Sequence, residues 1–229
     1  VYPGNYNMYK KYSNSLYKLL LQYTDKIERF SIDECFLDMT NYLCGDMLIN
    51  KAYEIKKRVK EELGFTVNVG VAHNKLLAKM ASDFTKPDRV HTLYENEIPS
   101  KMWTLNVSEL LMLGRKTIPK LSNMRIRTIG DLAKTDKELL SKKFGKHGIM
   151  MWEYANGIDN SEVQYKFENP KGIGNSTTLP VDIIEISKLE EVLLALKPDV
   201  CIITTMSLLK DCEEALVLCA SLGINAITT

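Results

Sequence analysis

The sequence predicts an α+β fold followed by a small, all-helical, basic module, and three observations carry that prediction. Hydrophobic residues between positions 6 and 84 switch repeatedly between a period near 3.6 and a period near 2. Beyond about Ser100 only short helical patterns remain, punctuated by glycine. The charge balance also changes along the chain, from even to basic to acidic.

The stretch 6–27 places Tyr9, Tyr12, Leu16, Leu19, Leu20 and Tyr23 three and four apart, which predicts an amphipathic helix with one face on a sheet. Two short apolar runs follow, 27–32 and 35–39, interrupted by Asp33 and Glu34; they read as a strand pair or one sharply bent strand. Over 47–63, Leu48, Ala52, Ile55, Val59 and Leu63 return to helical period, and Gly64 stands where a C-terminal cap is expected. Residues 65–72 alternate like a half-buried strand. Residues 74–84 resume helical spacing, with Asn74 suited to the N-cap. The order helix, strand, strand, helix, strand, helix implies a sheet layer with helices on one face. In 105–157 short helical patterns are separated by Gly114, Gly130, Gly145 and Gly148, and no strand is predicted. Asn169 to Gly172 reads as a linker, 172–182 as extended and 187–196 as helical.

The chain has 229 residues, 45% of them hydrophobic and 26% charged, as expected of a globular protein. It has no charged-then-apolar leader and no apolar run of about 18 residues, so no membrane span and a cytoplasmic location are expected. Cys35, Cys44, Cys201, Cys212 and Cys219 are odd in number and lack zinc-site spacing, which argues against a disulfide scaffold or a structural zinc. Residues 1–100 carry 14 basic against 13 acidic side chains, 101–150 carry 11 against 4, and 151–229 carry 5 against 12. The middle segment is therefore the expected polyanion contact, although lysines that merely solvate exposed helices would give the same count.

Asp33 and Glu34 sit in an apolar frame of Phe30, Ile32, Phe36 and Leu37, where carboxylates need a compensating cation. A magnesium pair meets that need, because hard oxygen ligands suit Mg²⁺ and two-metal sites serve phosphoryl transfer. An isolated Asp-Glu turn is most often a solvated corner, so the neighbouring segments decide. Lys75 and Lys79 lie one helical turn apart, with Lys86 beyond them, and each is a phosphate partner or a solvated lysine. In the basic module, 107–111 and 117–123 read as short helices joined by a glycine turn. Gly114, Arg115, Lys116, Thr117 and Lys120 would there offer amides and charge to a DNA backbone without reading its sequence. A second such unit is expected around 126–133, with Gly130 in the turn.

These segments match a known family in order and spacing. Phe30-Ser31-Ile32-Asp33-Glu34-Cys35-Phe36-Leu37-Asp38 resembles the Ser-x-Asp-Glu palm motif of Y-family (translesion) DNA polymerases. Residues 70–87 resemble that family's Asn-Lys-x-x-Ala-Lys-x-Ala-Ser-Asp-x-x-Lys-Pro stretch, and 105–134 resemble its helix-hairpin-helix thumb. Leu111–Thr117 and Lys171–Thr178 resemble the bacterial UmuC/ImpB/MucB/SamB branch of UV-damage repair proteins. The resemblance covers about residues 2–196. It implies a partial palm over 1–104, a thumb over 105–168 and a truncated or aberrant little finger over 169–229.

By the same resemblance Asp33 ligates Mg²⁺, Glu34 completes the site near the primer 3′-hydroxyl, and Lys86 reaches the incoming triphosphate. The implied partners are primer-template DNA, damaged DNA and deoxynucleoside triphosphates, with a sliding clamp or a recombinase filament as accessory and a monomeric state. Asp38 is expected to be a structural acid at the strand end. Asp88-Arg89 stand where the family has Asn-Gly. The family's first strand, with a further metal-binding aspartate, and its fingers domain are not found ahead of Val1. The 229-residue chain alone is therefore expected to be inactive. Beyond Leu196 nothing familiar remains, and reading 210–214 one nucleotide later yields basic residues; a frameshifted or prematurely ended gene is the expectation. The alternatives are a non-catalytic damaged-DNA-binding remnant and a palm-type nucleotidyl cyclase, the latter disfavoured by 105–134.

Overall fold

The computed structural model describes residues 4–40, 45–166, 185–196, 200–203 and 213–228. The chain divides into two units, Val1–Glu168 and Asn169–Thr229. The first unit begins with helix α1 (Tyr6–Leu20), capped by the Asn5 side chain accepting from the Met8 amide at 3.0 Å. Leu16, Leu19 and Leu20 bury one face against Ile27, Ile55 and Val59. The helix ends before the predicted pattern does, because Thr24 organises a turn. Its buried hydroxyl donates to the Asp38 carbonyl at 3.0 Å and accepts from the Lys26 amide at 3.1 Å.

Strands β1 (Ile27–Arg29) and β2 (Cys35–Leu37) pair antiparallel in the register Ile27 to Leu37 and Arg29 to Cys35. Helix α2 (Asp46–Arg58) runs on through a π-type turn, Val59–Leu63, to Gly64, whose φ of +78° is the left-handed cap the sequence announced. Strand β3 (Val69–Val71) is shorter than predicted. It pairs in parallel with β4 (Val90–Thr92), which periodicity did not reveal, since three residues hold too little alternation. Helix α3 (Lys75–Asp83) bridges the two, and Asn74 caps it by accepting from the Leu77 amide at 2.9 Å. The crossover lies so close to β3 that a Cβ at Gly70 would stand 1.9 Å from the Ala78 carbonyl oxygen; only glycine fits there. Among the described residues, the expected sheet layer is therefore present as two separate strand pairs.

The helical module contains α4 (Ile118–Ser122), α5 (Ile129–Lys134), α6 (Lys137–Phe144) and α7 (Lys146–Ala155). Its core of Met102, Leu121, Ile129, Leu132, Leu140 and Met151 is continuous with Leu76, Leu77 and Met80 of α3. Gly130 is not in a turn, as expected from sequence, but buried inside α5, where an added Cβ would press on Trp103 at 3.0 Å. The turn is made instead by Thr128, which caps the Asp131 amide while the Asp131 carboxylate accepts from the Arg127 and Thr128 amides. Residues 157–164 then return across α3. The Asn74 side-chain Nδ2 donates to the Gly157 carbonyl at 2.8 Å, Asp159 accepts from the Leu76 backbone amide at 3.1 Å, and the Gln164 backbone amide donates to Glu28 at 2.7 Å.

In the second unit, α8 (Ile186–Leu196) matches its predicted span. Strands β5 (Val200–Ile203) and β6 (Asn225–Thr228) pair in parallel across helix α9 (Glu213–Ser221). Leu193, Ala215 and Cys219 are buried there. The predicted linker at 169–172, the extended segment 172–182, the motif at 171–178 and residues 210–212 lie outside the described residues. No helix among the described residues is long and apolar enough to cross a membrane.

Candidate functional site

The β1–β2 hairpin closes through Phe30 and Ser31, whose amides both donate to the Glu34 carbonyl at 2.9 and 3.2 Å. That closure projects Asp33 into solvent, with its carboxylate accepting from the Ser31 hydroxyl at 2.7 Å. The apolar frame expected around the acid pair is open, because Phe30 and Ile32 are exposed and Phe36 and Leu37 only half-buried. Asp38, at the strand end, accepts from the Thr40 amide at 3.0 Å and pairs with Lys26 at 3.3 Å. Those hydrogen bonds, Thr40 first, hold its carboxyl below the ordinary range.

The compensating cation for Glu34 is a side chain of α3. Lys79 Nζ lies 2.7 Å from Glu34 and 2.6 Å from Asp83, whose second oxygen is 2.8 Å from Lys86. Glu34, Lys79, Asp83 and Lys86 thus form one alternating chain of charge. Burial alone would lower the Lys79 ammonium, but the hydrogen bonds of Asp83 and Glu34 outweigh it and raise its pKa. Burial likewise acts to raise the Asp83 carboxyl, and the hydrogen bonds of Lys79 and Lys86 overcome it, so the pKa falls. Lys75, one turn earlier, is committed to Glu28 at 2.7 and 2.9 Å, so it is not the solvated lysine that the sequence left open. Asp88 adopts the left-handed region at φ +60° and is held by Lys56 at 2.8 Å and Lys60 at 3.2 Å. Aspartate is one of the few residues other than glycine that settle there.

Asp33, Glu34, Lys79, Asp83 and Lys86 all line one open cleft of about 1580 Å³, bordered by β2, β3 and α1. Asp33 and Glu34 fit magnesium in kind, as hard oxygen donors at the mouth of a cleft. No group of three His, Cys, Asp or Glu able to hold a metal ion occurs among the described residues. Sequence reasoning missed Asp83 and Glu28. Asp83 carried a readable signal, its position four residues after Lys79 on one helix; Glu28 and Lys75 are 47 residues apart and gave none.

In the basic module, Gly114, Arg115, Lys116 and Lys120 are exposed and Thr117 half-buried. The first of the two predicted helices is a single 3-10 turn, Val107–Glu109, and the second is the five-residue α4. The left-handed residue of the connection is Met112, at φ +65°, rather than Gly114. Gly114 instead leaves its backbone uncovered, with nothing within 4 Å of where a Cβ would stand. The structure does not bring this loop into the cleft that holds Asp33 and Lys86.

Residues 1–83 match the impB/mucB/samB family, and residues 112–159 match the DNA polymerase-iota thumb domain. A protein named DNA polymerase IV from Clostridium acetobutylicum is 50% identical over 196 residues, covering 86% of this chain and 50% of that protein. The impB/mucB/samB match is thus to the first 83 residues of the chain. A DNA polymerase IV from Acetivibrio thermocellus is 44% identical, over 80% of this chain and 47% of its own length. The chain thus spans about half the length of the curated relatives it matches. In fold it is similar to DinB from Sulfolobus solfataricus, with a TM-score of 0.65 at 30% identity over 72% of this chain and 49% of that one. An insertion ternary complex of Dbh DNA polymerase aligns with a TM-score of 0.64 at 30% identity, over 70% and 48%. The mixed palm-and-thumb architecture expected from the sequence is the architecture of these Y-family relatives.

Proposed function

We propose that this chain supplies the palm, residues 1–104, and the thumb, residues 105–168, of an enzyme that performs template-directed DNA synthesis across damaged DNA. Residues 169–229 begin its little finger, and the substrates are primer-template DNA and deoxynucleoside triphosphates. The observation that carries the reading is that Asp33, Glu34 and Lys86 line one cleft, in which Glu34 and Lys86 are linked through Lys79 and Asp83. Asp33 and Glu34 would hold Mg²⁺, which when bound supplies Lewis-acid stabilisation of the oxygens in nucleotidyl transfer. Lys86, 61% exposed, is free to exchange Asp83 for a triphosphate. Gly114, Arg115, Lys116, Thr117 and Lys120 contact the DNA backbone, giving affinity without sequence preference. A cytoplasmic repair role, with a clamp or recombinase filament as accessory, belongs to the same reading.

Among the described residues β2 and β3 are each paired on one edge only, and both line the cleft along their length. The resemblance implies a further strand with another metal-binding aspartate, and such a strand would find unpaired edges at β2 and β3. The 229-residue chain by itself is therefore read as inactive, and robust primer extension by the purified chain would overturn that part of the proposal. A second reading, a damaged-DNA-binding remnant without catalysis, is favoured by Lys79 already occupying Glu34. Fluorescence anisotropy of primer-template separates the two. In the polymerase reading, Mg²⁺ with the triphosphate complementary to the next template base tightens DNA binding more than a mismatched one. Equal effects, or none, select the remnant.

A further inference from the structure

Lys79 is the most enclosed cation of the cleft, 14% exposed, and its two partners differ: Glu34 comes from the hairpin, Asp83 from its own helix. We propose that Lys79 is a positioning residue that sets the divalent-ion affinity of the Asp33–Glu34 pair, occupying Glu34 until an ion displaces it onto Asp83. The proposal rests on the reading of Asp33 and Glu34 as magnesium ligands. An ammonium and a divalent ion on one carboxylate repel each other at short range, so the ion binds at full strength only once Lys79 has withdrawn. The withdrawal has a destination. Asp83 is already 2.6 Å away on the same helical face, four residues on, so the displaced ammonium is not left buried and unpaired. Asp83 in turn shares its charge with Lys86 at 2.8 Å. A polyphosphate that draws Lys86 away leaves Asp83 to Lys79 alone and loosens Lys79 from Glu34. Ion and polyphosphate then favour each other's binding through the chain Glu34, Lys79, Asp83, Lys86, without sharing a ligand.

Electron paramagnetic resonance of free Mn²⁺, titrated with the whole chain, tests this without requiring turnover. Lys79→Met is expected to tighten Mn²⁺ binding by about fivefold or more, the lower end of ordinary coupling between sites. Lys79→Arg, which keeps the charge, should bind like the wild type, and Asp83→Asn, which removes the place of retreat, should bind more weakly. A Lys79→Met affinity that is unchanged or weaker overturns the proposal, as does an Asp83→Asn affinity that is unchanged or tighter. Should Lys79→Met fail to fold, Lys79→Arg and Asp83→Asn still decide it. The metal reading itself is tested separately: if Asp33→Asn combined with Glu34→Gln leaves Mn²⁺ binding intact, that reading has failed and the role of Lys79 falls with it.

Discussion

The lysines around α3 and the cations of the thumb loop are handled in opposite ways. Lys75, Lys79 and Lys86, like Lys56 and Lys60 beside them, all end on carboxylates at 2.6 to 3.2 Å. Arg115, Lys116 and Lys120 are exposed and, among the described residues, make no ion pair. Paired cations fix the geometry of a small site, and each must be released by whatever replaces its partner. Unpaired cations fix nothing, and they are ready to exchange counterions for phosphates. Around α3 positive charge is therefore committed to placing side chains, whereas at 115–120 it is left open to solvent.

The comparison breaks most visibly at Lys75. Its pair with Glu28 is only about 15% exposed on either side, and Glu28 also accepts from the Gln164 amide. Lys75→Met strands that carboxylate and should cost about 3 kcal/mol, a drop in Tm on the order of 6–12 °C for a unit of this size. A loss within about 0.5 kcal/mol, the range of ordinary surface changes, would show the pair to be solvated after all. In the thumb the opposite pattern is expected. Arg115→Ala with Lys116→Ala should leave the Tm unchanged while reducing the slope of log Kd against log salt for duplex DNA by about two. An unchanged slope would place the DNA elsewhere.

A smaller effect sharpens the palm side. The folded pKa of Asp83 is depressed, so its contribution to stability is complete above the unfolded carboxyl value. It fades as pH falls below about 4 and is gone below the folded value. The gap in Tm between wild type and Asp83→Asn should therefore close on acidification. A gap that persists at low pH would mean that Asp83 acts through something other than its charge.

Much of this was legible in the sequence where it depended on neighbours along the chain. Asn74 as a cap, Gly64 as a stop, and the spacing of Leu76, Leu77 and Met80 all express local rules. Asp33, Glu34 and Lys86 became candidates only through the order of the motifs around them. What stayed hidden depended on distant partners. Strand β4 exists because β3 offers it an edge, Gly130 is chosen by Trp103, and the return of 157–164 is held by Asn74, Leu76 and Glu28. The early end of α1 likewise follows from Thr24 reaching Asp38, a contact that spacing within the helix does not encode.

Asp33, Glu34 and Lys86 are proposed to form one site for a metal-bound triphosphate. The most direct test is an equilibrium titration of the whole chain with a fluorescent deoxynucleoside triphosphate, with and without Mn²⁺. Lys86→Ala is predicted to weaken binding about tenfold, equivalent to about 1.4 kcal/mol. Asp33→Asn with Glu34→Gln should abolish the Mn²⁺ dependence. Nucleotide binding that ignores both changes would contradict the account.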